Sequence, residues 1–165
     1  MPDKAMNVYL NDHLAGAMLG SDLAEQIRSR NESTPLGEVM ELLAPQIEED
    51  RQTLIALMRS MDGSKNPVKQ AGAWVTEKAS RLKFLGLSSG EPELGTFMAL
   101  ETLALGVQGK LALWRALNEV TDQHPAIASV NLDELIDRAA AQHDLLERER
   151  LTASVRALGS VRVAT

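Results

Sequence analysis

Between Met6 and Arg30 the positions Met6, Leu10, His13, Ala17, Gly20, Ala24 and Ile27 recur at alternating intervals of three and four, and all but His13 are apolar or small. That rhythm is one face of an α-helix. A second stripe, Leu36, Met40, Leu43, Ile47, Asp50, Leu54, Leu57 and Met61, predicts a second helix over Pro35–Met61, with a kink or break near residues 41–45, where Pro45 removes a backbone donor. Between the two, Asn31 can cap the finished helix and Thr34-Pro35 reads as an N-cap followed by proline at the first helical position.

A shorter third helix over Pro67–Leu85 carries Val68, Ala71, Val75, Ala79 and Leu82, and a flexible stretch follows from Gly86 to Gly90. A fourth helix, Pro92–Val120, has Phe97, Leu100, Ala104, Val107, Leu111 and Trp114 on one face and Met98, Leu105 and Leu113 off it. Being apolar most of the way round, it should be central. Its glycines Gly95, Gly106 and Gly109 each cost about 1 kcal/mol against alanine in a helix, which suggests close approach of neighbouring helices. After a loop over Thr121–Val130, a fifth helix starts at Asn131, where Asn131 and Glu134 form a variant capping box, and buries Leu132, Leu135, Ile136, Ala139, Leu146 and Ala153.

Short links place consecutive helices antiparallel, so the fold expected is all-α: an up-and-down bundle of five helices forming one domain over 1–165, frayed at about 1–5 and 159–165. Composition agrees: the chain is 44 % hydrophobic but only 3 % aromatic, its apolar residues being mostly good helix formers. A net charge of −6 with no basic stripe argues against nucleic acid as a partner. The absence of cysteine suits a reducing compartment, and no apolar run approaches the roughly 20 residues a bilayer crossing needs, so a cytoplasmic protein is expected.

No nucleophile elbow, phosphate loop or dinucleotide fingerprint is present. What remains is a set of polar residues on apolar stripes: His13, Asp50 and His143, joined by Glu101 and Glu77. Counting equal numbers of residues from the shared turns puts His13 level with Asp50, Asp50 with Glu77, Glu77 with a position within two residues of Glu101, and Glu101 with Arg150 near Glu147. His13, Asp50, Glu101, His143 and Glu147 are therefore candidate metal ligands, with iron or manganese as the metal. The alternative is histidines satisfied by ordinary hydrogen bonds and carboxylates neutralised by Lys110, Arg115 and Arg150, an internal ion-pair network that sets helix register.

Four segments, Tyr9–Gly16 (YLNDHLAG), Ile47–Arg51 (IEEDR), Trp74–Lys83 (WVTEKASRLK) and Gly106–Leu117 (GVQGKLALWRAL), resemble a group of uncharacterised bacterial proteins of ferritin-like character, over most of residues 7 to 120. The resemblance implies a ferritin-type core made of helices one, two, four and five, with helix three in the position of the crossover. The chain departs from that pattern in having no Glu-x-x-His pair, although His143 and Glu147 stand four apart on one face. Two functions follow as expectations. One is a non-enzymatic bundle with an internal polar layer, a homodimer or partner-binding module; the other is a divergent metal-binding oxidoreductase.

Overall fold

The computed structural model describes residues 4–62, 67–69, 72, 75 and 90–159, and among these every regular element is helical. Helix α1 spans Lys4–Arg30, α2 Pro35–Asp62, α3 Pro92–Glu119, α4 Pro125–Ala128 and α5 Leu132–Leu158, with a 3₁₀ turn at Thr121–Gln123. The four long helices match the first, second, fourth and fifth of the sequence reading. The third, expected over Pro67–Leu85, lies almost wholly outside the described residues, of which 67–69, 72 and 75 are helical.

Local chemistry sets the boundaries. Asn31 Nδ2 donates to the Ile27 carbonyl at 2.7 Å and closes α1, while Thr34 Oγ1 accepts the Gly37 N–H at 3.1 Å and opens α2. Ser33 takes a left-handed backbone, φ 60°, to make the reversal, and a Cβ on buried Gly37 would run into the Asn31 carbonyl. At the start of α5, Asn131 Oδ1 accepts the Glu134 N–H at 3.3 Å, and the Glu134 carboxylate takes the Asn131 amide at 3.0 Å.

Helix α2 runs uninterrupted through Pro45, without the break anticipated there. Pro45 and Glu41 both face solvent, so water can serve the carbonyl that proline leaves unpaired. Two further boundaries differ from expectation. The α-helix begins at Lys4, inside the end taken as frayed, and the loop after α3 contains the turn of helix α4, whose Ile127 is fully buried and ties the loop to the core.

Two apolar clusters fix the directions of the helices. One gathers Leu10 and Leu14 of α1, Leu54–Met58 of α2, Leu111–Leu117 of α3 and Leu132–Ala139 of α5. The other gathers Ala24 and Ile27, Met40–Ile47, Ala99–Val107 and Leu146. Thus α1 is antiparallel to α2 and to α3, α3 is antiparallel to α5, and α2 and α3 run the same way, so α2 ends and α3 begins at opposite ends of the bundle. Helices α3 and α5 share the largest contact, α1 packs on both α2 and α3, and α2 meets α5 only lightly. Helix α3 is central, as its all-round apolar character required: Leu113 is buried and Met98 half-buried, with Leu105 left exposed. No helix among the described residues is long and apolar enough to cross a membrane.

Candidate functional site

Between the two clusters lies a polar layer. Asp50 sits between Ile47 and Leu54 on α2, Lys110 between Val107 and Leu111 on α3, and Gln142 between Ala139 and Leu146 on α5. Asp50 and Gln142 are the buried polar side chains among the described residues, 2 % and 1 % exposed. Lys110 Nζ donates to Asp50 Oδ2 and to Gln142 Oε1, both at 2.5 Å. Arg138 donates from Nη2 to Asp50 Oδ1 and pairs through Nη1 with Glu49 at 3.3 Å. The Gln142 amide donates to Asp50 Oδ2 and to Gln46 Oε1, each at 3.2 Å.

A carboxylate stripped of water is costly unless its lone pairs are used, and here three donors, two of them cationic, use them. The cost falls on the cations as well. Burial holds Lys110 below the ordinary lysine range, with the attraction of Asp50 pulling the other way. For Arg138 burial likewise opposes the charge, but Asp50 and Glu49 more than offset it and the guanidinium is stabilised.

On the α1 side of this layer is a cavity of about 190 Å³ between α1, α2 and α3. Asp50 and Lys110 reach it from one side, His13 from another, and Gly16, Gly20, Gly106 and Gly109 line its length. A Cβ on any of these four glycines would meet no atom of the described residues within 4 Å. Among the described residues no neighbouring helix makes the close approach expected at Gly106 and Gly109.

The five candidate ligands are not brought together. His13 and Asp50, expected at one level, do line the same cavity, and the His13 ring stands edge-on to Tyr9 with centroids 4.5 Å apart. Glu101 lies instead with Arg150, at 3.0 Å, as the count across the α3–α5 turn implied. Glu147 also binds Arg150, at 2.7 Å, while the Arg150 guanidinium lies 5.8 Å from the centre of the Phe97 ring. His143 is half-buried with Asp144 3.9 Å away. Glu77 is outside the described residues.

Opposite Asp50 the count had placed Glu101, whereas the structure places Lys110 there, nine residues further along α3. At 1.5 Å per residue that is more than two turns; the count passed through the third helix, most of which lies outside the described residues. Arg138 and Gln142 were missed altogether. Gln142 was legible, because Leu132, Leu135, Ala139, Gln142 and Leu146 continue the three-four rhythm. The sequence reading puts His143, one residue on, at that place.

Among the described residues no three His, Cys, Asp or Glu side chains gather closely enough to hold a metal ion. The donor chemistry agrees. Glu101 and Glu147 each face a guanidinium, and a divalent ion on Asp50 would stand beside both an ammonium and a guanidinium. The set His13, Asp50, Glu101, His143 and Glu147 thus does not fit iron or manganese as one centre. No protein-family model matches the sequence, and no curated protein or solved structure is significantly similar to it.

Proposed function

We propose that the chain is a ferritin-like helical bundle whose middle layer is neutralised by its own cations, and that it serves as a self-associating, partner-binding module and not as a redox enzyme. The observation that carries this reading is Asp50, held on one side by Lys110 and on the other by Arg138 in the layer between the two core clusters. In carboxylate-bridged dimetal bundles, side chains project inward from facing helices to bind metal. Here Lys110 and Arg138 supply the compensating charge.

The ferritin-like scaffold is supported by helix direction: two antiparallel pairs, α1 with α2 and α3 with α5, with α2 and α3 parallel, the order that a single long crossover produces. Self-association is supported by Leu151, Val155 and Leu158, which form one stripe at the end of α5 and are 51 %, 72 % and 64 % exposed.

Two measurements on protein purified without chelator test the proposal. Elemental analysis should find neither iron nor manganese in stoichiometric amount; stoichiometric metal that disappears in Asp50→Asn refutes the first half. Light scattering coupled to size exclusion should give a dimer that Leu151→Ser, Val155→Ser and Leu158→Ser together convert to monomer, and a wild-type monomer refutes the second.

A further inference from the structure

The cavity between α1, α2 and α3 has a chemistry of its own, independent of self-association. Trp114 lines it, is 1 % exposed, and its indole Nε1 has no hydrogen-bond acceptor among the described residues. A buried donor left unpaired is costly, and native structures seldom tolerate it without a reason. Lys110 also lines the cavity one helical turn earlier on the same face of α3, since residues four apart are neighbours on a helix. An ammonium has three N–H donors. Two of those on Lys110 are spent on Asp50 and Gln142, which leaves one.

The local charge has a sign. Lys110 and Arg138 are two cations against the single buried carboxylate of Asp50, while Glu49, the further partner of Arg138, is 66 % exposed and so screened by water. At the rim, Arg51 is already bound to Glu48, and Asp12 is a solvent-exposed carboxylate. His13 adds an imidazole that stands edge-on to Tyr9, and the remaining wall is apolar, formed by side chains such as Leu54, Leu103 and Val107, with glycines leaving it open.

We infer that this cavity binds a small apolar monocarboxylic acid, its carboxylate received by the remaining Lys110 N–H and the Trp114 indole N–H and its hydrocarbon body lying along the glycine-lined wall. The space is of the right order: an apolar cavity of about 150 Å³ accepts benzene, and this one is about 190 Å³. An acid of benzoate or hexanoate size is of this volume.

The test uses ¹⁵N-labelled full-length protein carrying Trp74→Phe, which leaves Trp114 as the sole indole. Benzoate and hexanoate are titrated to about 10 mM, where a complex of even millimolar affinity is largely formed, with cyclohexanol, benzylamine and sodium chloride as controls. The expected result is a saturable downfield shift of the Trp114 indole proton with at least one acid, no shift with amine or salt, and binding of the alcohol weaker by about tenfold or more. Gly109→Leu fills the cavity and should weaken acid binding by about tenfold or more without loss of helicity; Gly16→Val does the same from α1 should the first variant fail to fold. The inference is overturned if neither acid moves the indole resonance, if the alcohol binds as well as the acids, or if the shift persists in a folded cavity-filled variant.

Discussion

Replacing Asp50 by Asn should do far more harm than replacing Lys110 by Met, and the two together should do less than their sum. In Asp50→Asn the volume is kept but Lys110 and Arg138, whose side chains are 13 % and 20 % exposed, lose the buried carboxylate between them. Uncompensated buried charge of this kind costs about 3–5 kcal/mol, a large share of the roughly 5–15 kcal/mol that holds a domain together. In Lys110→Met, Asp50 keeps Arg138 and the Gln142 amide. The loss is then about 1.5–3 kcal/mol for a hydrogen bond between charged groups, partly offset because methionine still buries the stem of the side chain. The double variant removes the unpaired ammonium that made the first change expensive, so the coupling between the sites should be at least about 1 kcal/mol. Urea unfolding followed by helical ellipticity measures all four proteins, provided the denaturant slopes agree. Additive losses, or a loss below about 1 kcal/mol for Asp50→Asn, would show that the layer is not the coupled ion cluster described above.

Three other outcomes are expected. Glu48 is held at a pKa of about 2, chiefly by its hydrogen bonds from Arg51, with Ser21 and Gln52 adding to them. A lowered folded pKa means stability that is present above the ordinary value of 4.5 and is lost as pH falls toward 2. Glu48→Gln should therefore cost less than about 1 kcal/mol at neutral pH, the pair being partly exposed, and progressively less as pH falls through the folded pKa of about 2; equal losses at neutral pH and at pH 2 in thermal unfolding would contradict this. Gly106→Ala should stabilise the helix by about 0.5–1 kcal/mol, whereas Gly37→Ala, meeting the Asn31 backbone carbonyl, should destabilise by about 1–3 kcal/mol. Differential scanning calorimetry separates these signs, and two shifts in the same direction would undo the argument. Asn131→Ala removes the cap on the Glu134 N–H and should cost about 0.5–2 kcal/mol, and chemical denaturation that finds no change would show that this cap contributes nothing.

The helices were legible because the apolar stripes of the four long helices are long and several ends are marked by capping residues, as Thr34, Asn131 and Asn31 demonstrate. The polar layer was legible only in part. Asp50 stood out as a charge on the most regular stripe, and Lys110 and Arg150 were among the cations named to neutralise acidic groups. Which cation meets which carboxylate depends on axial register, and register cannot be counted across a connection whose path is unknown. Between α3 and α5, whose connection is folded back on the core by the buried Ile127, the count placed Glu101 opposite Arg150, as the structure has it. Arg138 was hidden for a different reason: it flanks the stripe, and an arginine reaches inward from a boundary position while its periodicity reads as solvent-facing.

The glycines and the ion layer belong to one problem. Four glycines in helical segments, Gly16, Gly20, Gly106 and Gly109, each sacrifice about 0.5–1 kcal/mol of helix stability relative to alanine, and no described neighbour occupies the space a methyl group would take. Packing among the described residues therefore gives no reason for them at these positions. A layer built only to set helix register would need the contacts of Asp50 with Lys110, Arg138 and Gln142, but it would gain from alanines at its edge and from a tryptophan whose N–H was paired. The chain instead keeps an open wall beside an ammonium with a donor to spare and an indole with no acceptor. Other buried polar atoms, Asn11 Oδ1 and Arg138 Nε, also lack partners among the described residues. Only at this cavity, however, do an unpaired donor, a spare ammonium N–H and a glycine wall coincide, the pattern expected where a protein trades stability for binding.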